Sequence, residues 1–393
     1  MGGQGKRTFV FVVAACLVAA GCFGGPPPPP PPPAFATETC GMSYASASAY
    51  QNDFDLLTHG NTGWIHADGY VPALLPDGRT SWWMSDTHVG TVEPNNSAPN
   101  AGDVHNSLVF QEPTCLRPKL GGQANQWTDL IPAPSGKWYW PGSTQVEGNT
   151  LLVFAYIVAP ASGPAGFDWT ILGTAVVQYS LPNLTLQGVT NLPVQHPPAL
   201  YGSDAIPWGI RTVDVGGTVY LYGATRRSNL GPGDVWVARA PFAQVTNPSA
   251  WEYSTGLVAP LDWSSNSTLA QPMTFTGTPQ QNQDDIKAPL AQLSVYRYGT
   301  KYLASSLSNV LDTRVRAWIS DSPEGPWQYL GVVATAQFLN GNQVAYDARV
   351  VDLPGAAGWT AVYNVNDPNH NKEDVRLYRG QFATPNAGVL PPP

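Results

Sequence analysis

Two aspartates are the residues of this chain best placed to do chemistry together. Asp68 stands in "HADGY" and Asp86 in "SWWMSDTHVG", and the stretch between them reads as a hairpin. The string "LPDGR" at 75–79 predicts a three-residue loop, a type I turn on Pro76 and Asp77 with Gly78 in the left-handed region. Leu75 then faces Arg79. The same register sets Asp68 opposite Asp86, with Tyr70 and Met84 as the next pair inward. Directly opposed Cβ atoms lie about 4.5–5.5 Å apart. Two carboxylates that close repel, so one keeps its proton to higher pH, which suits a division into acid and base. A two-residue loop would move the register by one and put the pair on opposite faces.

The local string alone would not single out Asp86. A near echo, "AWISDSPEGPW" at 317–327, places Asp321 in the same setting. There Pro323 follows at once and no carboxylate precedes it across a hairpin, so Asp321 reads as a turn residue. What distinguishes Asp86 is its partner.

The elements that must carry the pair are strands. The chain has 393 residues, 43% hydrophobic and 12% charged, with 39 Gly and 39 Pro, which favours many short strands joined by turns over a helical protein. From about residue 60 the pattern is strand, turn, strand, with no convincing helix longer than two turns. Five units of roughly 50–70 residues recur, each reading as a four-stranded meander. Segments apolar on both faces, such as 151–156 and 219–222, fit sheets sandwiched between neighbouring sheets. The expectation is an all-β fold, a five-bladed β-propeller of four-stranded antiparallel blades over residues 38–385, with a tail at 386–393.

Ahead of it, residues 1–21 read as a signal segment: Lys6 and Arg7, an apolar stretch, and small residues before Cys22. The ending resembles a bacterial lipobox, which implies lipidation of Cys22 and an extracellular, membrane-anchored protein. Residues 22–37 form a proline-rich linker in which Pro26–Pro33 would make a stiff spacer of roughly 25 Å. Cys40 and Cys115 remain and could pair in an oxidising compartment. They match no zinc spacing. The net charge is −8, without a basic block in the mature region, which argues against a nucleic-acid partner.

A family resemblance rests on motifs in order along residues 60–382. "VRAWISDSPEGPW" resembles the outer strands of five-bladed propeller glycosidases. "PALLPDGRTSWWMSDTHVG", "HNSLVF", "YWPGSTQVEGNTLLVF", "DVWVARAP" and "YNVN…LYRGQF" together resemble a bacterial family of the domain-of-unknown-function 4185/5005 type, part of which is classed as endo-D-arabinanases in glycoside hydrolase family 183. The resemblance implies glycoside hydrolysis of mycobacterial-type arabinan, with Asp68 and Asp86 where that family holds its catalytic acids. That reaction needs two carboxyl groups flanking the scissile bond. Candidate substrate-binding residues are Asn106, Trp140, Trp208, Asp347 and Asn364, since sugar sites use aromatic platforms and amide hydrogen bonds. Four histidines, His59, His66, His88 and His105, fall near the pair and read as a polar rim, with no metal and no cofactor implied. No nucleophile elbow or phosphate loop occurs. The expected partner is a polysaccharide met by a monomer. The rival from another class is a non-catalytic surface propeller that binds glycan or a protein. The geometry of the two aspartates discriminates between them.

Overall fold

A computed structural model describes residues 35–163, 166, 168–192, 206–226, 233–256, 263–276, 293–307 and 312–392. The proposed signal segment, Cys22 and most of the proline-rich linker lie outside the described residues. The sheets and the site all belong to one compact unit, Phe35–Pro393.

The chain is mostly strand, laid out as successive antiparallel sheets. The first has the order Thr39–Cys40, Cys115–Lys119, Ser107–Gln111, Thr80–Met84 and Val71–Leu74. A small sheet of Trp64–Ala67, Thr87–Val89 and Gly102–Val104 extends the same hairpin beyond its turn-proximal half. The second sheet runs Trp138–Glu147, Thr150–Pro160, Trp169–Ser180, Thr185–Asn191. The third begins with Arg211–Val215 and has five strands, ending at Trp263–Ser264. The fourth begins with Ser294–Tyr298 and gains Phe275–Thr276 as a parallel edge, also making five. The last has three: Val344–Asp352, Trp359–Asn366 and Tyr378–Ala383. The expectation of four strands throughout is therefore corrected. Only the second of these main sheets has four, because short edge segments add to some sheets and none follows Tyr378–Ala383.

Alternation along the strands explains how the sheets meet. In Thr150–Pro160, Leu151, Val153, Ala155 and Ile157 join a core with Val71, Trp83 and Leu108 of the first sheet. Leu152 and Phe154 point the other way, into a core with Leu221 and Trp236 of the third. Successive side chains face opposite sides of a strand, so a run apolar at every position is buried on both faces. Trp82 and Trp83 do the same. Trp83 enters the core shared with the second sheet, and Trp82 the core shared with the last.

That last core is completed by one α-helix, Ala47–Thr58, which lies ahead of the strand-rich region. Ser46 caps it by accepting a hydrogen bond from the Ala49 amide, and Ala47, Tyr50, Phe54 and Leu57 recur at helical spacing on the buried face. Phe54 stacks on Phe382 of the last sheet and meets Trp82 of the first edge-on. A disulfide joins Cys40 to Cys115, with the two sulfurs 2.07 Å apart.

The first strands of the five main sheet units, counting Val71–Leu74 for the first, line a single cavity of about 390 Å³. Its walls include Pro72, Ser143, Thr212, Tyr296 and Arg349, one from each.

Candidate active site

The hairpin closes in the register that its turn chemistry demands. Leu75 N–H donates to Arg79 O at 2.8 Å, and Gly78 sits at φ +85°. Val71 pairs with Trp83 and Leu74 with Thr80, and farther out His66 pairs with His88 and Ala67 with Thr87. Between these two ladders lie the aspartates. Asp68 N–H donates to Asp86 O at 3.1 Å, while Ser85 N–H donates to Asp68 O at 2.9 Å. The ladder is therefore locally irregular at the aspartates, yet the pairs on either side of it keep one register. Gly69 at φ +96° makes the irregularity possible, since a Cβ there would lie 2.8 Å from the Ser85 amide nitrogen. Tyr70 follows at φ +43°, so the expected Tyr70–Met84 pairing is corrected. The ladder resumes at Val71, and Met84 pairs with Ser107 on its other side.

The two carboxyls have different surroundings. Asp68 Oδ2 accepts a hydrogen bond from the Tyr346 hydroxyl at 2.9 Å, and Oδ1 is shielded from solvent without a hydrogen-bond partner. Burial first, then the charge of Asp86 and that of Asp347, push the Asp68 carboxyl well above the usual aspartate range; the Tyr346 and Tyr378 hydroxyls pull the other way. Both tyrosines are themselves pushed well above the ordinary phenol range, first by burial and then by Asp68, so they remain donors. The Tyr378 hydroxyl donates to the Asp86 backbone carbonyl at 2.6 Å. Asp86 is more open, with 41% of its side chain exposed. Its Oδ1 accepts from Trp140 Nε1 at 2.7 Å and pairs with His105 Nδ1 at 2.9 Å.

Asp347 anchors the far side. It takes φ +50°, which a non-glycine residue adopts only when its surroundings enforce it. The enforcement is ionic. Arg211 Nη2 bonds one carboxylate oxygen and Arg349 Nη2 the other, the latter at 2.5 Å. Asn364 adds a longer contact at 3.5 Å. Burial and the neighbouring Arg211 lower the Arg349 pKa, Asp347 opposes them, and the net value is about 10. Asp347 also breaks the ladder between Tyr346 and Arg349, and this turns Tyr346 toward Asp68. Asp68, Trp140 and Asp347 all precede the cavity-lining stretches of their strands, so the carboxyl pair sits at the starting end of the inner strands.

A family model described as a domain of unknown function, DUF5005, matches residues 51–372. The chain belongs to the DUF5005 family. A comparison with the curated proteins finds no match. Among solved structures, this DUF5005 chain is similar to a Bacteroides ovatus ATCC 8483 protein provisionally named a hydrolase, at 19% identity over 81% of this chain and 85% of the other, with a TM-score of 0.60. That likeness shows a shared fold. Looser matches include a GH43_1 enzyme from Xanthomonas citri complexed with xylotriose (13% identity, 84% and 89% covered, TM-score 0.49) and an exo-1,5-α-L-arabinanase from a bovine ruminal metagenomic library (12%, 82% and 92%, 0.43).

Of the sugar-contact candidates, the DUF5005 fold brings Trp140 to the pair and uses the others differently. Asn106 is fully buried, and its amide is spent on the Ile131 amide and the Tyr139 carbonyl, at 2.6 and 3.0 Å. Trp208 is 1% exposed and packs between the second and third sheets against Tyr253. Neither can touch a bound sugar, and both assignments are corrected. Asp347 and Asn364 are also buried, at 7% and 1%, and serve the arginine clamp instead. Asp321 lies on the surface, paired with Lys301 at 2.6 Å. Tyr346, Tyr378, Arg211 and Arg349 are site residues that the sequence pattern did not single out. Only Tyr346 and Arg349 left a trace there, as neighbours of Asp347 in "VAYDARV". Beside Trp140, Trp169 packs edge-on at 4.9 Å and Trp138 stands 6.1 Å away, a partly exposed aromatic row next to Asp86. Among the described residues, the one cluster of metal-ligating types is Glu38, Cys40 and Cys115, whose sulfurs the disulfide occupies.

Proposed function

We propose that this protein is a five-bladed propeller glycoside hydrolase that cleaves within a cell-surface arabinan, with Asp68 as the acid and Asp86 as the carboxylate that acts on the anomeric carbon. The single observation that carries the reading is the pair itself: two aspartates bonded backbone to backbone, with environments that divide them into a proton-holding and a solvent-facing carboxyl. Such a division is what glycoside hydrolysis requires.

Asp68 gives its proton to the leaving oxygen as the glycosidic bond breaks. Tyr346 fixes the other oxygen of that carboxyl, so the proton-bearing side is oriented before substrate arrives. Asp86 attacks the anomeric carbon, and Asp68, now ionised, takes a proton from the water that releases the sugar. A double displacement uses carboxyls about 5 Å apart and a direct water attack about 6.5–9.5 Å, so the anomeric configuration of the product reads which of the two this pair performs. The Trp138–Trp140–Trp169 row supplies a platform for the sugars beyond the cleaved bond. The arabinan preference, and anchoring through lipidated Cys22, rest on the sequence resemblances.

The test is incubation of the purified protein with mycobacterial arabinogalactan and a panel of other glycans. Mid-sized arabinan oligosaccharides with retained anomeric configuration are expected by chromatography and NMR. A panel from which no soluble saccharide is released would contradict the proposal.

A further inference from the structure

We propose that His105 is the positioning residue of Asp86: it grips one carboxylate oxygen, Oδ1, and leaves the other, Oδ2, to face the sugar. This rests on the hydrolase reading and adds a group to it. His105 Nδ1 and Trp140 Nε1 converge on the same oxygen, at 2.9 and 2.7 Å. Among the described residues, no hydrogen bond to Asp86 Oδ2 is formed. Two donors on one oxygen fix the carboxylate plane and leave its other oxygen with unfilled lone pairs, as a nucleophile requires.

His105 is itself held at three points. Its ring stacks on Trp138, with centroids 4.3 Å apart and planes 17° from parallel. Its backbone N–H donates to Asp129 Oδ1 at 2.7 Å, and its Nδ1 is committed to Asp86. The groups that face it are three carboxylates: Asp86 from the hairpin, Asp103 from Gly102–Val104, and Asp129 from the segment after Gln126–Thr128. Asp103 is shared with Lys372 and His88. Burial lowers the imidazole pKa, but the bond to Asp86 and the three negative charges outweigh it, so His105 holds its proton above the ordinary histidine value. The bond to Asp86 is therefore charge-assisted while that proton is held, and it weakens once the proton is lost at higher pH.

Two variants separate the charge from the grip. His105→Asn keeps an N–H donor near the Nδ1 position but cannot be charged. It is expected to hold kcat within about threefold while kcat/KM loses its dependence on the His105 proton, because the neighbouring cation is gone. His105→Ala loses both, and kcat is expected to fall by roughly tenfold or more with KM less affected. Variants with wild-type kcat and a wild-type pH profile would overturn the proposal. The pair is also read without catalysis, by NMR titration of the His105 imidazole. Its pKa should drop in Asp86→Asn, and equal values in the two proteins would overturn the pairing. If no glycan is cleaved, the hydrolase reading falls alone and the NMR titration still decides the pair.

Discussion

Asp68 and Asp86 are the same residue type on one hairpin, and they differ through their neighbours. Asp68 has one carboxylate oxygen shielded from solvent and the other bonded to Tyr346, whereas Asp86 is half-exposed and bonded to Trp140 and His105. This contrast gives a paired outcome for Asp68→Asn. Hydrolysis should fall by about 10²–10⁴-fold, the usual worth of a positioned acid. Thermal stability near neutral pH should rise. In the folded protein the Asp68 pKa is raised above its unfolded value, so the folded state binds the extra proton and ionisation at higher pH costs stability. The amide removes that cost. Melting curves of the two proteins should therefore converge as pH falls toward the unfolded aspartate range, and separate again as it rises. A mutant less stable than wild type at neutral pH would contradict this picture of the site. The pair was legible in the sequence because turn chemistry and a period of two define it locally. The contacts from Tyr346 and Tyr378 were not, being 278 and 292 residues away in the chain.

At the scale of elements, the hairpin register and the arginine clamp position the pair. Gly78 at φ +85° has open space around its Cα, so the demand for glycine there is conformational. Gly78→Asn, which tolerates the left-handed region, should keep activity, whereas deletion of Gly78 should move the register by one and abolish it. Measured activity and circular dichroism of the two variants decide this: an active, folded deletion would show that the three-residue turn does not place Asp86. On the opposite side, Asp347 sits between two buried guanidiniums. Asp347→Ala leaves both uncompensated, and a loss of about 3–5 kcal/mol is expected in denaturant unfolding. The sequence pattern revealed Asp347 but not its task, since an aspartate on an inner strand reads the same whether it meets a sugar or two arginines. Asn106 and Trp208 show the same ambiguity, one spent on backbone groups and the other on packing between sheets.

Within the described residues, successive sheets share cores that bring distant strands around one cavity. The all-β class, with sheets covered on both faces, was readable from the runs apolar on both faces, which only sheets flanked on both sides can bury. Strand counts were not readable, because two-residue edges such as Phe275–Thr276 leave no periodic signal. The first and last sheets meet through the helix Ala47–Thr58 and its aromatic core, with the Cys40–Cys115 link holding the segment before that helix. In the chain-entropy account, a crosslink over a 75-residue separation contributes about 4.5 kcal/mol. Reduction should lower stability by that order while leaving the carboxyl pair, which it does not touch, active under mild conditions.

The central claim, that Asp68 and Asp86 together cleave a glycan, is tested most directly by comparing oligosaccharide release from arabinan by the wild type, Asp68→Asn and Asp86→Asn under identical conditions, with folding checked by circular dichroism. The account predicts release by the wild type and losses of at least about a hundredfold in both variants with the fold intact. Release at the wild-type rate from either folded variant would contradict it.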